Sequence, residues 1–238
     1  MKKITEKIFR NYIANAFIIL IFVCLFSLSF LGQVTYVFNS NGYSPLYNGN
    51  KNSNKVSLMF NVYMGTEYID DILTCLNESN SKATFFVGGS WAIKNSDTLK
   101  KILDNGHEIG NHGYWHKDHK MISYEKNLSE IELTHKLVKE LLNYDISLFA
   151  PPSGSFGNNT LKAAQQMGYK TIMWTKDTID WRDKDSSLIY SRAIKNPSGG
   201  DFILMHPTEC TLKALPDIIS FYTQSGYKLT TVSENIAQ

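Results

Sequence analysis

Two histidines set four apart, His112 and His116, occur in the run His107-Glu-Ile-Gly-Asn-His-Gly-Tyr-Trp-His116. This spacing brings two imidazoles to one side of a helical turn, where they can share a divalent ion. Gly110 and Gly113 weaken the case for a regular helix, but an irregular turn also permits the approach. Surface histidines in a hydrated loop are the bland alternative, and spacing alone does not separate the two. Zinc is the default ion for imidazole, with cobalt, nickel and manganese also compatible. A third ligand, normally a carboxylate at another strand end, is not obvious. His107 and His119 lie nearby in sequence.

A third chemically able histidine, His206, follows an apolar run and precedes Pro207. Facing a metal site, it could protonate a leaving amine, with Asp180 or Asp177 orienting it through the other ring nitrogen. Facing the interior, it would be a structural histidine. Asp177-Thr-Ile-Asp180-Trp181 would otherwise read as a solvated turn or a helix cap. Trp174 and Trp181 could wall a saccharide groove, and Tyr63, Tyr114 and Trp115 fall in loops on the same side.

These residues need elements that gather them. Val56–Val62, Ala83–Val87, a short stretch at Ile109, Ser147–Phe149, Tyr169–Trp174, Phe202–Met205 and Tyr227–Val232 read as strands. Helical patterns run over Glu67–Ser79, Ala92–Leu103, Leu128–Leu142, Thr160–Met167, Ser187–Ile194 and Leu212–Gln224. The Leu128–Leu142 pattern has an expected apolar face of Ile131, Leu133, Leu137, Val138 and Leu141. Short apolar strands alternating with helices predict an α/β fold with a mostly parallel sheet, and about seven such units could close into a (β/α) barrel. In that architecture the carboxyl ends of the strands converge on one face. Asn61, the His112 loop, Pro151-Pro-Ser-Gly154, Asp177 with Asp180, and His206 all lie just past strand ends.

The amino-terminal region has a different character. Lys2, Lys3, Lys7 and Arg10 precede an uncharged apolar run from Tyr12 to Leu31. Its length matches a hydrocarbon core of ~30 Å, and its basic flank predicts a cytoplasmic start with everything after Gly32 outside the cell. A cleaved signal peptide, giving a secreted protein, is the competing reading. The expected organisation is a cytoplasmic flank and anchor over 1–32, a flexible Asn/Ser/Gly-rich tether over 33–54, and one domain over 55–238. The lipid bilayer is thus an expected partner. The net charge of +2 comes from the basic flank, which carries +3 and leaves the rest at −1. With no basic stripe, nucleic acid is not an expected partner. Cys75 and Cys210 could pair outside the cell, or Cys75 could be a buried free thiol.

The order of Val56 to Gly65, His112-x-x-x-His116, Phe149-Ala-Pro-Pro-Ser-Gly154, Trp174 to Trp181 and Leu204-Met-His206 resembles the polysaccharide deacetylase family, the NodB-homology carbohydrate esterases. The likeness spans the chain from about Lys55 to its end. It implies a distorted (β/α) barrel and a metal-dependent hydrolase that removes acetyl groups from peptidoglycan or a related N-acetylated glycan. The variants Phe-Asn-Val-Tyr-Met-Gly65 and Ala-Pro-Pro-Ser-Gly-Ser-Phe156 are most similar to the sporulation-associated branch of endospore formers. By resemblance, His112 and His116 would hold the metal, and His206, Asp180, Asp177, Ser153 and Asn61 would occupy catalytic positions. The Ser153 backbone N–H would be the oxyanion donor. Tyr63, Trp115, Pro152, Trp174, Trp181 and Leu204 would meet the substrate.

The chain departs from the family at three positions. After the strand ending at Phe60 the family motif continues Asp-Asp-Gly, which supplies the general base and the third metal ligand. Asn61 and Val62 stand there instead. An amide is hardly basic and valine cannot ligate. Where the family has an arginine paired with the catalytic Asp, this chain has Ala150, and losing charge and counter-charge together avoids an unpaired arginine in the site. Glu67, Asp118 or the Asn61 side-chain oxygen could assist a two-histidine metal site. The expectation is a weak deacetylase-like hydrolase, with an inactive glycan-binding or cell-wall scaffold protein as the alternative.

Overall fold

The computed structural model describes residues 44–237. The expected anchor over 12–31 lies outside them, and no described helix is long and apolar enough to cross a membrane.

Eight strands form the sheet: β1 (Lys55–Val62), β2 (Ala83–Val87), β3 (Glu108–Asn111), β4 (Leu148–Phe149), β5 (Lys170–Thr171), β6 (Lys176–Asp177), β7 (Phe202–Met205) and β8 (Lys228–Leu229). Seven run in the order β5-β4-β3-β2-β1-β7-β6, with β8 also pairing with β1. All these pairings are parallel. Among the described residues β5 and β6 do not pair with each other, so the sheet curls without closing its hydrogen-bond ladder. This is the distorted barrel the sequence predicts.

The helices are α1 (Ile69–Glu78), α2 (Gly89–Ala92), α3 (Ser96–Asp104), α4 (Tyr124–Leu142), α5 (Asn158–Gln166), α6 (Ser186–Ala193), α7 (Glu209–Gln224) and α8 (Val232–Ile236). Strand alternation sorts β1 into two faces. Val56, Leu58, Phe60 and Val62 join the large core that also contains buried residues of α1, α3, α4 and α7. Met59 joins a smaller cluster inside the curl, with Phe86, Ala150, Phe202 and Leu204. Register then aligns the strand ends: Phe60 is level with Met205, Asn61 with Phe86, Val87 with Asn111, and Asn111 with Phe149. The next residue after β3, β4 and β7 is His112, Ala150 and His206 respectively.

Several expectations are corrected. The described part of the tether, 44–54, packs against the domain. Leu46 bridges to Ile172, and Gly49 N donates to Gly200 O at 2.8 Å. The helix expected over Ala92–Leu103 is two helices, with Ile93–Asn95 between them. The helix expected from Leu128 begins a turn earlier, where the Ser123 side chain caps it by accepting from Lys126 N. Its buried face carries Asn127, Glu130 and Thr134 beside Ile131 and Val138, while Leu133 and Leu141 are exposed. The strand expected over Tyr227–Val232 is two residues long and gives way to α8, capped by Thr231 and Glu234 in a reciprocal capping box. Cys75 and Cys210 are both free.

Candidate active site

The strand ends bring Asn61, Tyr63, His112, His116 and His206 around one cleft of about 380 Å³. Ser153, Trp174, Asp177, Trp181 and Leu204 complete its walls. A smaller adjoining lobe of about 230 Å³ shares Asn61, Tyr63, Trp181 and His206, so Tyr63 and Trp181 stand where the two lobes meet.

His112 is fully buried, and its Nδ1 lies 2.7 Å from Ala150 O. A carbonyl only accepts, so Nδ1 carries the proton and Nε2 keeps its lone pair. Nε2 is buried with no hydrogen-bond partner among the described residues. Burial, and then the neighbouring His116, hold the His112 pKa well below 6.5, so the ring is neutral at pH 7. The His116 ring lies 5.2 Å from it, centroid to centroid. With metal–nitrogen distances of ~2.0–2.1 Å, that separation lets both rings reach a common ion. His116 has a left-handed backbone (φ 53°), and its ring stacks on Tyr63 at 3.8 Å and 26°. Burial lowers its pKa as well.

Asn61 Oδ1 is likewise buried without a partner and belongs to the cleft lining. Two imidazole nitrogens and an amide oxygen are therefore present for a divalent ion, and all three are neutral. Among the described residues, no group of three or more His, Cys, Asp or Glu gathers to hold one. The expected help from Glu67 and Asp118 is corrected. Both are exposed and bonded elsewhere, Glu67 to Thr66 N at 2.9 Å and Asp118 to the Ser155 hydroxyl at 2.5 Å. Val62 is fully buried in the helix-side core and does not line the cleft.

On the opposite wall, Asp180 rather than Asp177 orients His206. Asp180 Oδ1 lies 2.7 Å from His206 Nδ1, and Oδ2 accepts from His206 N at 2.6 Å and from the Thr211 hydroxyl at 2.5 Å. The carboxylate thereby fixes the imidazole with Nδ1 inward and leaves Nε2 as the free ring nitrogen. Asp177 Oδ1 instead accepts from Ile179 N at 2.8 Å. Between the two aspartates Ile179 is left-handed (φ 56°), which is costly for a β-branched residue and marks a turn held by its surroundings. Ser153 is also left-handed (φ 54°), in the short 3-10 turn Pro152–Gly154 at the cleft edge. Trp115 and Pro152 are not in the lining: Trp115 is 59% exposed, and Pro152 is buried beside Gly113.

His107 and His119 stay out of the site. His107 accepts from Ala83 N at the start of β2, and His119 Nδ1 pairs with Asn127 Oδ1 at 2.7 Å. Sequence reasoning missed Thr211 and Glu130. Thr211 left a faint trace, since Thr208-x-x-Thr211 just after His206 forms the capped start of α7. Glu130 left none, because it lies on a helix face that periodicity assigns to leucines.

A family model described as "Polysaccharide deacetylase" matches residues 48–172. The uncharacterised protein YlxY of Bacillus subtilis is 37% identical over 190 residues, covering 80% of this chain; the match spans 60% of YlxY's length. A peptidoglycan-N-acetylglucosamine deacetylase of Bacillus cereus is 32% identical over 193 residues, covering 77% of this chain and 88% of that one. Among solved structures, BA3943 of Bacillus anthracis, described as a CE4 family pseudoenzyme, superposes with a TM-score of 0.79 at 36% identity, covering 82% of this chain and 69% of that one. A mutant of it described as having restored enzymatic activity superposes with a TM-score of 0.79 at 34% identity.

Proposed function

Because the chain belongs to the polysaccharide deacetylase family, we propose that it is a deacetylase-like hydrolase of N-acetylated glycan, peptidoglycan first, with chemistry weakened at Asn61, Val62 and Ala150. The observation that carries this reading is the pairing of two half-sites across one cleft. His112 Nε2 and Asn61 Oδ1 are buried and unpartnered on one side, and His206 is aligned by Asp180 on the other. Relatives described as peptidoglycan-N-acetylglucosamine deacetylases support the substrate class.

His112, His116 and Asn61 would hold a divalent ion, zinc first, with cobalt, nickel and manganese as alternatives. Such an ion would polarise the amide carbonyl and acidify water. His206 Nε2 would give a proton to the departing sugar amine, with Asp180 holding the ring for that transfer. The Ser153 N–H would meet the developing oxyanion. Trp174 and Trp181 offer ring faces to a sugar. Asn61 cannot take the proton that attacking water must lose, and absence of a base costs ~10²–10⁴-fold in rate.

A second reading, an inactive glycan-binding or cell-wall scaffold protein, is favoured by the same Asn61 and by the likeness to a pseudoenzyme. Residues 12–31 fit a membrane anchor that leaves the domain outside the cell, and a sporulation role extends the same proposal. The test is acetate release from peptidoglycan with added zinc, cobalt or manganese, wild type beside an Asn61→Asp/Val62→Asp/Ala150→Arg variant. Val62 is fully buried in the core, so a thermal melt accompanies each assay. The variant should release acetate ~10²-fold faster. Equal rates would sink the claim that these positions limit catalysis, and glycan binding without any acetate release would favour the scaffold reading.

A further inference from the structure

The backbone bracketing the turn from Gly113 to His116 is left-handed at both ends, with φ 71° at Gly113 and 53° at His116. Two successive N–H groups inside it, those of Tyr114 and Trp115, converge on one oxygen, Glu130 Oε2, at 2.8 and 2.7 Å. Successive backbone N–H groups arranged in this way make a concave site for an anion. Here the anion is internal, a side chain of α4 that is only 7% exposed. The same helix supplies the next tie: Gly113 N donates to Asn111 Oδ1, and Asn111 Nδ2 donates to Ile131 O at 2.8 Å. A Cβ at Gly113 would lie 2.9 Å from His119 Nε2 and 3.5 Å from Glu130 Oε2, so the carboxylate sits directly against the turn.

We propose that Glu130 is a positioning residue for the His112–His116 pair. Its carboxylate gathers the Tyr114 and Trp115 N–H groups and so sets where the His116 ring stands against His112. The inference rests on reading that pair as a divalent-ion site and adds the group that shapes it from outside the cleft. Groups that orient metal ligands at one remove typically change affinity by ~10–100-fold when lost.

Three variants of the intact chain test it. Glu130→Gln keeps an oxygen that can accept both N–H groups, Glu130→Asp draws it back by one methylene, and Glu130→Leu removes it. Amide exchange at Tyr114 and Trp115, the His116 imidazole resonances and the zinc dissociation constant, with zinc alone as probe, are read for each. In the Leu and Asp variants amide protection should fall, the imidazole resonances should move, and the zinc dissociation constant should rise about tenfold or more. The Gln variant should stay within about threefold of wild type. Wild-type protection and affinity in the Leu variant would overturn the proposal. If that variant does not fold, the Gln and Asp pair decides, and identical behaviour of the two overturns it. If wild type binds no zinc, the reading of the histidine pair fails by itself. Exchange and the imidazole resonances then judge Glu130, and no change in either overturns its role.

Discussion

Asp180 is a buried carboxylate whose partners are the His206 N–H, the His206 ring and the Thr211 hydroxyl. Thr211 gives its proton to Asp180, so the Thr208 hydroxyl, 2.9 Å away, is the donor to Thr211. The start of α7 is thus wired to His206. Thr211→Val keeps the shape and removes the hydroxyl, and a hydrogen bond to a charged group is worth about 1.5–3 kcal/mol. The valine variant should lose stability of that order together with the His206 Nδ1–H resonance, while Thr211→Ser should keep both. Melting and imidazole spectra like wild type in the valine variant would show that Asp180 does not need this donor. At this scale the sequence was legible where a residue's type limits its chemistry: His112, His116, Asn61 and His206 all reach the cleft. It was not legible where role depends on aim. Asp177 and Asp180 are alike in type and three apart, with a left-handed Ile179 between them, yet only Asp180 meets His206 while Asp177 bonds back to Ile179 N. Trp115, an aromatic in a site-facing loop, points to solvent instead.

Among the elements, β1, β2 and β7 were readable because both faces are buried, which makes continuous apolar runs. β6, two residues long, is too short to show a period, and β5 and β8 lie inside stretches that read as longer strands but are two residues each. The Thr231-Val-Ser-Glu234 cap was present in the sequence, but the apolar run before it reads as one longer strand. The 44–54 segment failed for another reason: Gly and Asn residues that suggest a loose tether are here the ones small enough to dock. A Cβ at Gly199 would come 1.9 Å from Ser53 O, and one at Gly49 would come 2.4 Å from Asn235 Oδ1. Gly199→Ala should therefore cost about 1–3 kcal/mol, because backbone on both sides must part. Gly157→Ala, whose Cβ would meet nothing closer than 3.7 Å, should cost under about 1 kcal/mol. Chemical denaturation of the two variants checks this, and equal midpoints would mean that segment 49–53 is not packed against Gly199.

The whole molecule keeps several imidazoles out of water, and this sets how its stability responds to acid. His107 and His119 are 2% and 0% exposed, and burial pushes both pKa values down to about 4. At His107 the nearby Lys82 adds to the shift, while at His119 the bond to Asn127 opposes it. His112 is shifted in the same direction. At His107 and His119 the unfolded chain takes up a proton near pH 6.5 and the folded chain refuses it until about pH 4. Between those limits the unfolded state binds more protons, so stability falls as pH falls through the window and levels off once the folded rings also protonate. His107 and His119 each account for a loss on the order of 3 kcal/mol by pH 4, a large share of a typical total of about 5–15 kcal/mol. Asp183, held well below the usual carboxylate range by Arg182 and Arg192, keeps its ion pairs in the folded chain across this window and adds to the slope only toward pH 4, where the unfolded carboxylate begins to protonate. Other carboxylates begin to protonate near the lower end, so a variant is needed to isolate the imidazoles. His107→Gln lies far from the cleft and should flatten the decline in melting temperature between pH 6.5 and 4.5 without changing His112 or His116. A wild-type melting temperature equal at pH 7 and pH 4.5, or a decline unaltered in His107→Gln, would refute the assignment of acid sensitivity to buried neutral histidine.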